Sequence, residues 1–279
     1  MSSTPHSQML DDSAAEYFRS VVYANYEQRG RDFPWRHTTD PYHTLVSEMM
    51  LQQTQTSRVA NKFQEFVERF PNFESLSRAS AADVLGAWQG LGYNRRAIAL
   101  HSIAQTVCST FDGHLPQEKA ELLALPGVGP YTAAALRVFA FDLPEVLLET
   151  NIRTVYLHEF FPGTAAVRDS DILPLIEATV DRARPREWYQ ALMDYGAMLK
   201  ETGNPSRRSA HHRPQSLFKG SRRQARGIIL RTLLAEGPVP ADQLASRIAG
   251  WDGRFAEALE TLKRDGFVVE ADSVLSIIA

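Results

Sequence analysis

The chain has 279 residues, of which 44% are hydrophobic, and its formal net charge is −3 at pH 7. This length suits one large or two modest domains with a packed core. No apolar run reaches about 18 residues, so we expect no membrane span. The polar residues 1–13 lack an apolar signal region, so we expect a disordered tail on a cytoplasmic protein. A single cysteine, Cys108, excludes an internal disulfide and any multi-cysteine zinc or iron–sulfur site.

Helical periodicity extends over most of the chain and predicts an all-α protein. The first predicted helix covers residues 14–28, where apolar side chains recur at helical spacing. Asp40 and Pro41 are typical of the N-cap and first position of a second helix. Further helices are predicted over residues 56–69, 81–89, 95–110, 118–123, 132–141, 151–160, 169–180 and 185–199.

The C-terminal quarter of the chain has a different composition. Residues 204–224 are rich in Ser, Arg, His and Pro, and we interpret them as a basic linker that binds phosphate or is simply solvated. Residues 225–279 contain three predicted helices, at 226–236, 241–249 and 255–264, followed by strand-like runs at 267–270 and 274–277. This unit resembles a winged helix, which binds DNA or a protein, although its third helix is not strongly basic.

A glycine-containing turn, Leu-Pro-Gly-Val-Gly, joins two predicted helices at residues 125–129. Two glycines spaced by one residue allow a tight turn with positive φ, and the helix that follows presents its N–H groups and positive dipole end. That combination suits a phosphate and ignores base sequence. A plain turn between helices is the alternative. The predicted DNA contacts are Gly127, Val128, Gly129 and Thr132. The candidate ligands of a monovalent cation are the carbonyls of Leu123, Leu125 and Val128.

Six motifs follow one another along the chain. They are Phe-Pro-Trp-Arg (33–36), Ser-Glu-Met-Met-Leu-Gln-Gln-Thr-Gln (47–55), Trp-Gln-Gly-Leu-Gly-Tyr (88–93), the turn at 125–132, Glu-Thr-Asn (149–151) and Met-Asp-Tyr-Gly-Ala-Met (193–198). With them the chain resembles the helix-hairpin-helix DNA glycosylase superfamily that includes endonuclease III, and within it the MutY-type adenine mismatch glycosylases.

The resemblance implies a fold of two helical lobes around a DNA groove. One is a six-helix barrel lobe with the helix-hairpin-helix over residues 37–148, and the other combines residues 14–36 with 149–203. A nucleotide flipped out of the duplex would enter the cleft between them. We expect a monomer associated with the nucleoid, whose partner is double-stranded DNA with a mismatch or lesion.

Removal of a base requires a proton for the leaving base and negative charge near a cation-like sugar. Glu48 matches the family's catalytic acid, which protonates the purine at N7 and then handles the attacking water. It lies in an otherwise apolar helix stretch, where burial favours a protonated acid, and a surface glutamate is the alternative. Glu149 matches an aspartate that stabilises the cationic sugar, and Asn151 matches an asparagine that orients it. Tyr131 occupies the position of a Schiff-base lysine, and tyrosine forms no imine, so we predict a monofunctional enzyme.

The resemblance also implies contacts to the DNA bases. Gln53 resembles the residue that wedges into the base stack, and Thr54 and Leu91 resemble contacts to the base opposite the target. Tyr93 matches a further family residue. The remaining predicted DNA contacts are Gln52, Arg207 and Arg208.

Several positions depart from the family pattern. Glu149 is one methylene longer than the usual aspartate, which moves its carboxylate by roughly 1.5 Å. Asn94 stands where relatives carry a stacking tyrosine. The four cysteine positions of the relatives' iron–sulfur cluster hold Lys200, Arg207, Ala210 and Ser216, so we predict no cluster and no other cofactor. We also expect no Nudix-like domain for reading 8-oxoguanine.

These features predict a monofunctional DNA glycosylase that acts on mispaired adenine. One alternative is a glycosylase for another base, such as thymine or uracil opposite guanine, or hypoxanthine. A second alternative is a non-catalytic protein that binds DNA structures in repair.

Overall fold

The computed structural model describes residues 10–212, 220–247 and 254–278. Helices dominate these ranges, which confirms the predicted fold class. The helices are α1 Asp12–Arg29, α2 Pro41–Leu51, α3 Thr56–Arg69, α4 Phe73–Ser77, α5 Ala81–Ala87, α6 Arg95–Thr110, α7 Lys119–Ala124, α8 Pro130–Phe139, α9 Thr150–Glu159, α10 Asp169–Thr179, α11 Pro185–Thr202, α12 Arg222–Glu236, α13 Ala241–Arg247 and α14 Arg254–Arg264. The strands are β1 Val239–Pro240, β2 Val268–Ala271 and β3 Val274–Ile277. No helix in the described ranges is both long and apolar enough to cross a bilayer.

The chain forms two compact units, and the first comprises residues 10–44, 117–124 and 128–212 of the described chain. Its core lies between α1, α9, α10 and α11 and is rich in aromatic rings. Phe18 of α1 packs edge-on against Tyr156 at 5.4 Å and against Trp188 at 5.7 Å between ring centroids. Burial of a phenylalanine side chain contributes about 2 kcal/mol to the free energy of unfolding. The contacts of Phe18 therefore stabilise the packing of α1 against α9 and α11.

A buried carboxylate in the first unit connects two of the sequence motifs. The Asp194 side chain is 1% exposed and accepts from Nη1 of Arg36 at 2.8 Å and from Arg31 at 2.7 Å. Burial acts to raise the pKa of Asp194, but the hydrogen bonds and charges of Arg36 and Arg31 outweigh it and hold that pKa below its usual range. The motifs at 33–36 and 193–198 therefore form one ion-pair cluster.

The second unit comprises residues 45–116, 125–127, 220–247 and 254–278 of the described chain. Trp88 is fully buried there, with Phe66 of α3 edge-on at 5.8 Å. The C-terminal elements α12 to α14 carry an antiparallel sheet in the order β1-β3-β2. In its register Val268 lies opposite Ile277, and Val239 lies opposite Leu275.

The order helix, strand, helix, helix, strand, strand agrees with the predicted winged-helix-like unit, with β1 as an addition. The compact units divide the chain differently from the predicted lobes. The hairpin helices α7 and α8 belong to the first unit, and the C-terminal elements belong to the same unit as α3 to α6. Residues 1–9 of the predicted tail and 213–219 of the predicted linker lie outside the described residues.

Candidate active site

Glu48 lies in the C-terminal half of α2, three residues before the helix ends. The Asp40 side chain accepts from the N–H of Tyr42 at 2.8 Å, which caps the first turn as predicted. Around Glu48, the side chains of Leu45, Met49 and others in this stretch are buried, and Glu48 itself is 9% exposed. The burial expected for this carboxyl is therefore confirmed, and its role in catalysis stays a prediction.

The C-terminal end of α2 is held by Arg96 of α6, a residue that the sequence analysis missed. Its Nη1 donates to the carbonyl oxygens of Met49, Met50 and Gln52 at 2.6–2.8 Å. Its Nη2 donates to the carbonyl oxygen of Gly92 at 3.0 Å. Burial lowers the pKa of Arg96 to about 10, so the guanidinium is charged at neutral pH and stabilises the negative end of the α2 dipole.

Two residues close to the groups that Arg96 binds have a backbone conformation that L-residues rarely adopt. Gln53 has φ 56° and Tyr93 has φ 50°, and both are exposed. The neighbouring Gly90 and Gly92 also have positive φ, at 92° and 71°. Left-handed backbone costs an L-residue roughly 1–2 kcal/mol, so the fold holds Gln53 and Tyr93 in strained turns.

The other residues predicted to contact bases are less accessible. Leu91 is 3% exposed, so its side chain forms part of the unit's interior. The Thr54 hydroxyl accepts from Nη2 of Arg96 at 3.0 Å. The side-chain amide of Gln52 lies 3.6 Å from the Met49 sulfur. Of this group, Gln53 and Tyr93 are the residues whose side chains are accessible to a partner.

The turn at 125–129 joins α7 to α8 with a positive φ, as predicted. Gly127 has φ +78°, and a Cβ there would lie 2.7 Å from the Cβ of Ala99, so this position requires glycine. Gly129 has φ −94° and is the extended N-cap of α8, so Gly127 supplies the predicted positive φ of this turn. Val128 and Thr132 are 7% and 5% exposed, so only their backbone atoms could meet a phosphate.

Glu149 caps the N-terminus of α9 in the first unit. Its Oε1 accepts from the backbone N–H of Asn151 at 2.6 Å and of Ile152 at 2.9 Å. The Asn151 side-chain nitrogen lies 3.4 Å from Glu149 Oε2, and Asn151 Oδ1 accepts from Lys200 Nζ at 2.6 Å. The three side chains form a continuous chain from the cap to α11, and the orienting role of Asn151 stays a prediction.

Burial and the neighbouring charges act in opposite directions on the pKa values of Glu149 and Lys200. Burial raises the pKa of Glu149, although the Ile152 N–H and the charge of Lys200 act in the opposite direction. Burial likewise lowers the pKa of Lys200, while the Glu149 carboxylate acts to raise it. A cation at position 200 therefore favours the ionised form of Glu149. The helices meet closely here, because a Cβ on Gly196 would lie 2.2 Å from the backbone oxygen of Asn151.

The remaining predicted residues have mixed surroundings. Tyr131 is partly buried and packs against the aromatic core of the first unit. Arg208 donates from Nη2 to the Leu157 carbonyl at 2.7 Å and also to the Phe161 carbonyl, so it closes the C-terminal end of α9. Arg207 is exposed. Their DNA contacts, like the monovalent cation at the hairpin carbonyls, stay predictions.

Arg96 and Lys200 are the site residues that sequence reasoning missed. A basic residue on the apolar face of α6 was a usable signal for Arg96. Lys200 was noted only as the substitute for a cysteine. Within the described ranges, no group of three or more His, Cys, Asp or Glu side chains is placed to hold a metal ion.

Known proteins resemble this chain over most of its length. Residues 46–224 match the family model described as HhH-GPD superfamily base excision DNA repair protein. An adenine DNA glycosylase of Mycobacterium tuberculosis is 34% identical over 88% of this chain and 90% of its own. The adenine DNA glycosylase of Buchnera aphidicola is 35% identical, and the match covers 67% of this chain and 54% of that relative. A thymine/uracil-DNA glycosylase of Methanothermobacter thermautotrophicus is 29% identical over 68% of this chain and 89% of its own.

Solved structures of DNA repair proteins also superpose on this chain. A thermostable thymine-DNA glycosylase superposes with a TM-score of 0.58 at 27% identity, covering 66% of this chain and 86% of that chain. Endonuclease III in a non-covalent DNA complex superposes with a TM-score of 0.54 at 16% identity, covering 70% and 87%, which shows a shared fold. The chain therefore belongs to the HhH-GPD superfamily of base excision DNA repair proteins.

Proposed function

We propose that this protein is a monofunctional DNA glycosylase that hydrolyses the N-glycosidic bond of a mispaired adenine flipped out of duplex DNA. The observation that carries the proposal is Glu48, a carboxyl almost fully buried within an apolar helix. Relatives named adenine DNA glycosylase, 33–34% identical over 87–88% of this chain, support adenine as the base. We also propose that the enzyme acts as a monomer on mismatched DNA at the nucleoid.

In this mechanism Glu48 donates its proton to N7 of the adenine. The bond between N9 and C1′ breaks, its electron pair leaves with the base, and positive charge develops on the sugar. Water then adds to C1′ and gives a proton back to the Glu48 carboxylate, which restores the acid. General acid catalysis of this kind contributes about 100- to 10,000-fold to a rate.

Glu149 is proposed to stabilise the cationic sugar as a carboxylate. That role requires the ionised form, which burial opposes and the charge of Lys200 supports. Because the longer acid bonds to the first N–H groups of its own helix, its negative charge is held in place before DNA arrives. Fixed charges of this kind are effective because they need no reorganisation during the reaction.

The test of the proposal uses duplexes with single defined mismatches, with abasic sites revealed by hot alkali. We expect adenine release opposite guanine or 8-oxoguanine. Glu48→Gln should slow that release at least about 100-fold, because an amide donates no proton. Glu68→Gln, at an exposed position on α3, is the matched control and should keep the wild-type rate. Wild-type rates in Glu48→Gln would contradict the assignment.

The absence of lysine chemistry at residue 131 gives a second test. Sodium borohydride traps an imine between an enzyme lysine and the opened sugar, and Tyr131 forms no such imine. We therefore expect no borohydride-trapped protein–DNA adduct during turnover on the best substrate. Efficient trapping would show a bifunctional enzyme and overturn this part of the proposal.

A glycosylase for another base is the second candidate. It is favoured by the thymine/uracil-DNA glycosylase relative and by the thymine-DNA glycosylase structure. The same duplex panel, with thymine or uracil opposite guanine and with hypoxanthine, separates the two, because the released base identifies the activity. Binding with no abasic product on any duplex would instead support the non-catalytic alternative.

A further inference from the structure

A strongly basic groove lies within the second unit, between α12 and the loop that carries residues 89–95. Its volume is about 940 Å³, and seven arginines line it with a single acid, Asp265. The third predicted helix of the C-terminal unit is not strongly basic. The structure instead places most of the C-terminal unit's groove arginines on its first helix, α12, facing the family motif at 88–93.

Part of this charge is neutralised within the protein. Asp265 accepts from Arg226 at 2.9 Å and also pairs with Arg95, and Arg222 pairs with Glu257 at 2.5 Å. These contacts hold α12 and α14 against the loop, and they use up the acid in the groove.

Three groove arginines have no such compensation. Arg58 of α3, Arg231 of α12 and Arg264 of α14 are exposed, and no acidic side chain of the described residues lies within ion-pair distance of them. Like charges gathered in one groove repel each other and destabilise the unliganded protein. An anionic ligand that enters the groove relieves this repulsion.

The floor of the groove adds a flat aromatic surface. Two guanidinium groups lie near the Tyr93 ring, that of Arg96 at 5.4 Å and that of Arg223 at 5.9 Å from its centroid. Nη1 of Arg223 also donates to the Tyr93 hydroxyl at 2.8 Å, so a residue of α12 fixes the strained turn of the family motif. Gln53, five residues after Glu48, lines the same groove.

We propose that this groove binds a DNA phosphodiester backbone, with Arg58, Arg231 and Arg264 as its phosphate contacts. The planar guanidinium fork matches phosphate oxygens, and a row of arginines beside an aromatic ring suits a nucleic-acid strand better than an acidic peptide. Gln53, which lines the groove, follows the last residue of α2 by two positions, so the groove extends to the C-terminal end of the helix that carries Glu48. The inference deepens the proposed function and rests on it only in naming DNA as the ligand.

The test measures binding apart from catalysis. A fluorescein-labelled duplex of about 25 base pairs with a central tetrahydrofuran abasic analogue is titrated by anisotropy at several KCl concentrations between about 50 and 200 mM. Arg58→Ala/Arg231→Ala/Arg264→Ala is compared with Arg29→Ala/Arg78→Ala/Arg182→Ala, a triple variant of equal net charge at exposed positions elsewhere. Circular dichroism and thermal unfolding verify that both variants fold.

The groove variant should bind at least about 10-fold more weakly, and its slope of log affinity against log salt should fall by about 2 to 3, since each lost phosphate contact removes about 0.9. The control variant should keep the wild-type slope. Equal slopes and affinities for the two triple variants would overturn the proposal. The proposal would also be overturned if the wild type bound a poly-glutamate peptide of about 20 residues and the groove variant lost that binding while it kept its affinity for the duplex. The groove would then be a peptide site.

Catalysis distinguishes this failure from failure of the proposed function. At saturating enzyme, single-turnover base release by the control variant of Arg29, Arg78 and Arg182 should stay within about twofold of the wild type, because those arginines lie outside the groove. If the wild-type protein released no base from any duplex, the proposed function would fail, and the salt slopes would still decide the fate of the groove.

Discussion

At the scale of single residues, the hydrogen bonds that hold the Glu149 carboxylate distinguish this chain. Glu149 is held by the N–H groups of its own helix, while Asn151 and Lys200 connect it to α11. By resemblance, Lys200 occupies the position of a cluster cysteine, and in this chain it supplies a cation that favours the ionised form of Glu149. We therefore regard Lys200 as a positioning residue that acts through Asn151 and Glu149.

Substitution Lys200→Met tests this role through the pH dependence of base release. The charge of Lys200 lowers the pKa of Glu149, so its removal should raise that pKa further. The proposed role of Glu149 requires its carboxylate form, so the acid limb of the single-turnover rate should move to higher pH. Lys200→Arg keeps the charge and should restore most of the wild-type profile.

Lys62→Met, which removes an exposed α3 ion pair with Glu65, is the matched control and should leave the profile in place. A uniform loss of rate at every pH in Lys200→Met, with no shift of the acid limb, would indicate a structural role for Lys200 alone.

At the scale of secondary-structure elements, α2 depends on a residue contributed by α6. The last carbonyls of a helix have no partners within it, and those of α2 are satisfied by the buried guanidinium of Arg96. The same group bonds to the Gly90–Gly92 turn, so the helix of Glu48 and the turn of Tyr93 share one anchor. The two motifs at 47–55 and 88–93 are thus coupled by a residue that belongs to neither.

Arg96→Met should lower the free energy of unfolding by about 3 kcal/mol, since it leaves several buried carbonyls without donors. Urea denaturation followed by circular dichroism measures this loss. Arg78→Met is the control, because Arg78 is 77% exposed and makes one surface ion pair with Glu74. Its change should stay within about 0.5 kcal/mol. A loss no larger than that in Arg96→Met would refute the anchoring role.

At the scale of the whole molecule, periodicity predicted the helices well and tertiary contacts poorly. The predicted helices at 56–69 and 95–110 coincide with α3 and α6, because a packed helix shows its buried face in the sequence. Strand β1 has two residues, too few for an alternating pattern. Arg96 and Lys200 bind backbone or side-chain oxygens 42–49 positions away, and no local pattern encodes such partners. The G-x-G string predicted a turn with positive φ but did not reveal that Gly127 supplies it and Gly129 does not.

The left-handed backbone at Gln53 has a consequence for how this protein responds to selection. Gln53→Gly should relieve the strain and raise the unfolding free energy by about 0.5–1 kcal/mol, after allowance for the greater freedom of glycine in the unfolded chain. The melting temperature should rise by about 2 °C, while base release should slow because the side chain next to the groove is gone. Calorimetry with single-turnover kinetics measures both, and a variant that is less stable would disprove the strain. Directed evolution for heat resistance alone would therefore favour glycine at this position and yield a repair enzyme that is more thermally stable but releases the base more slowly.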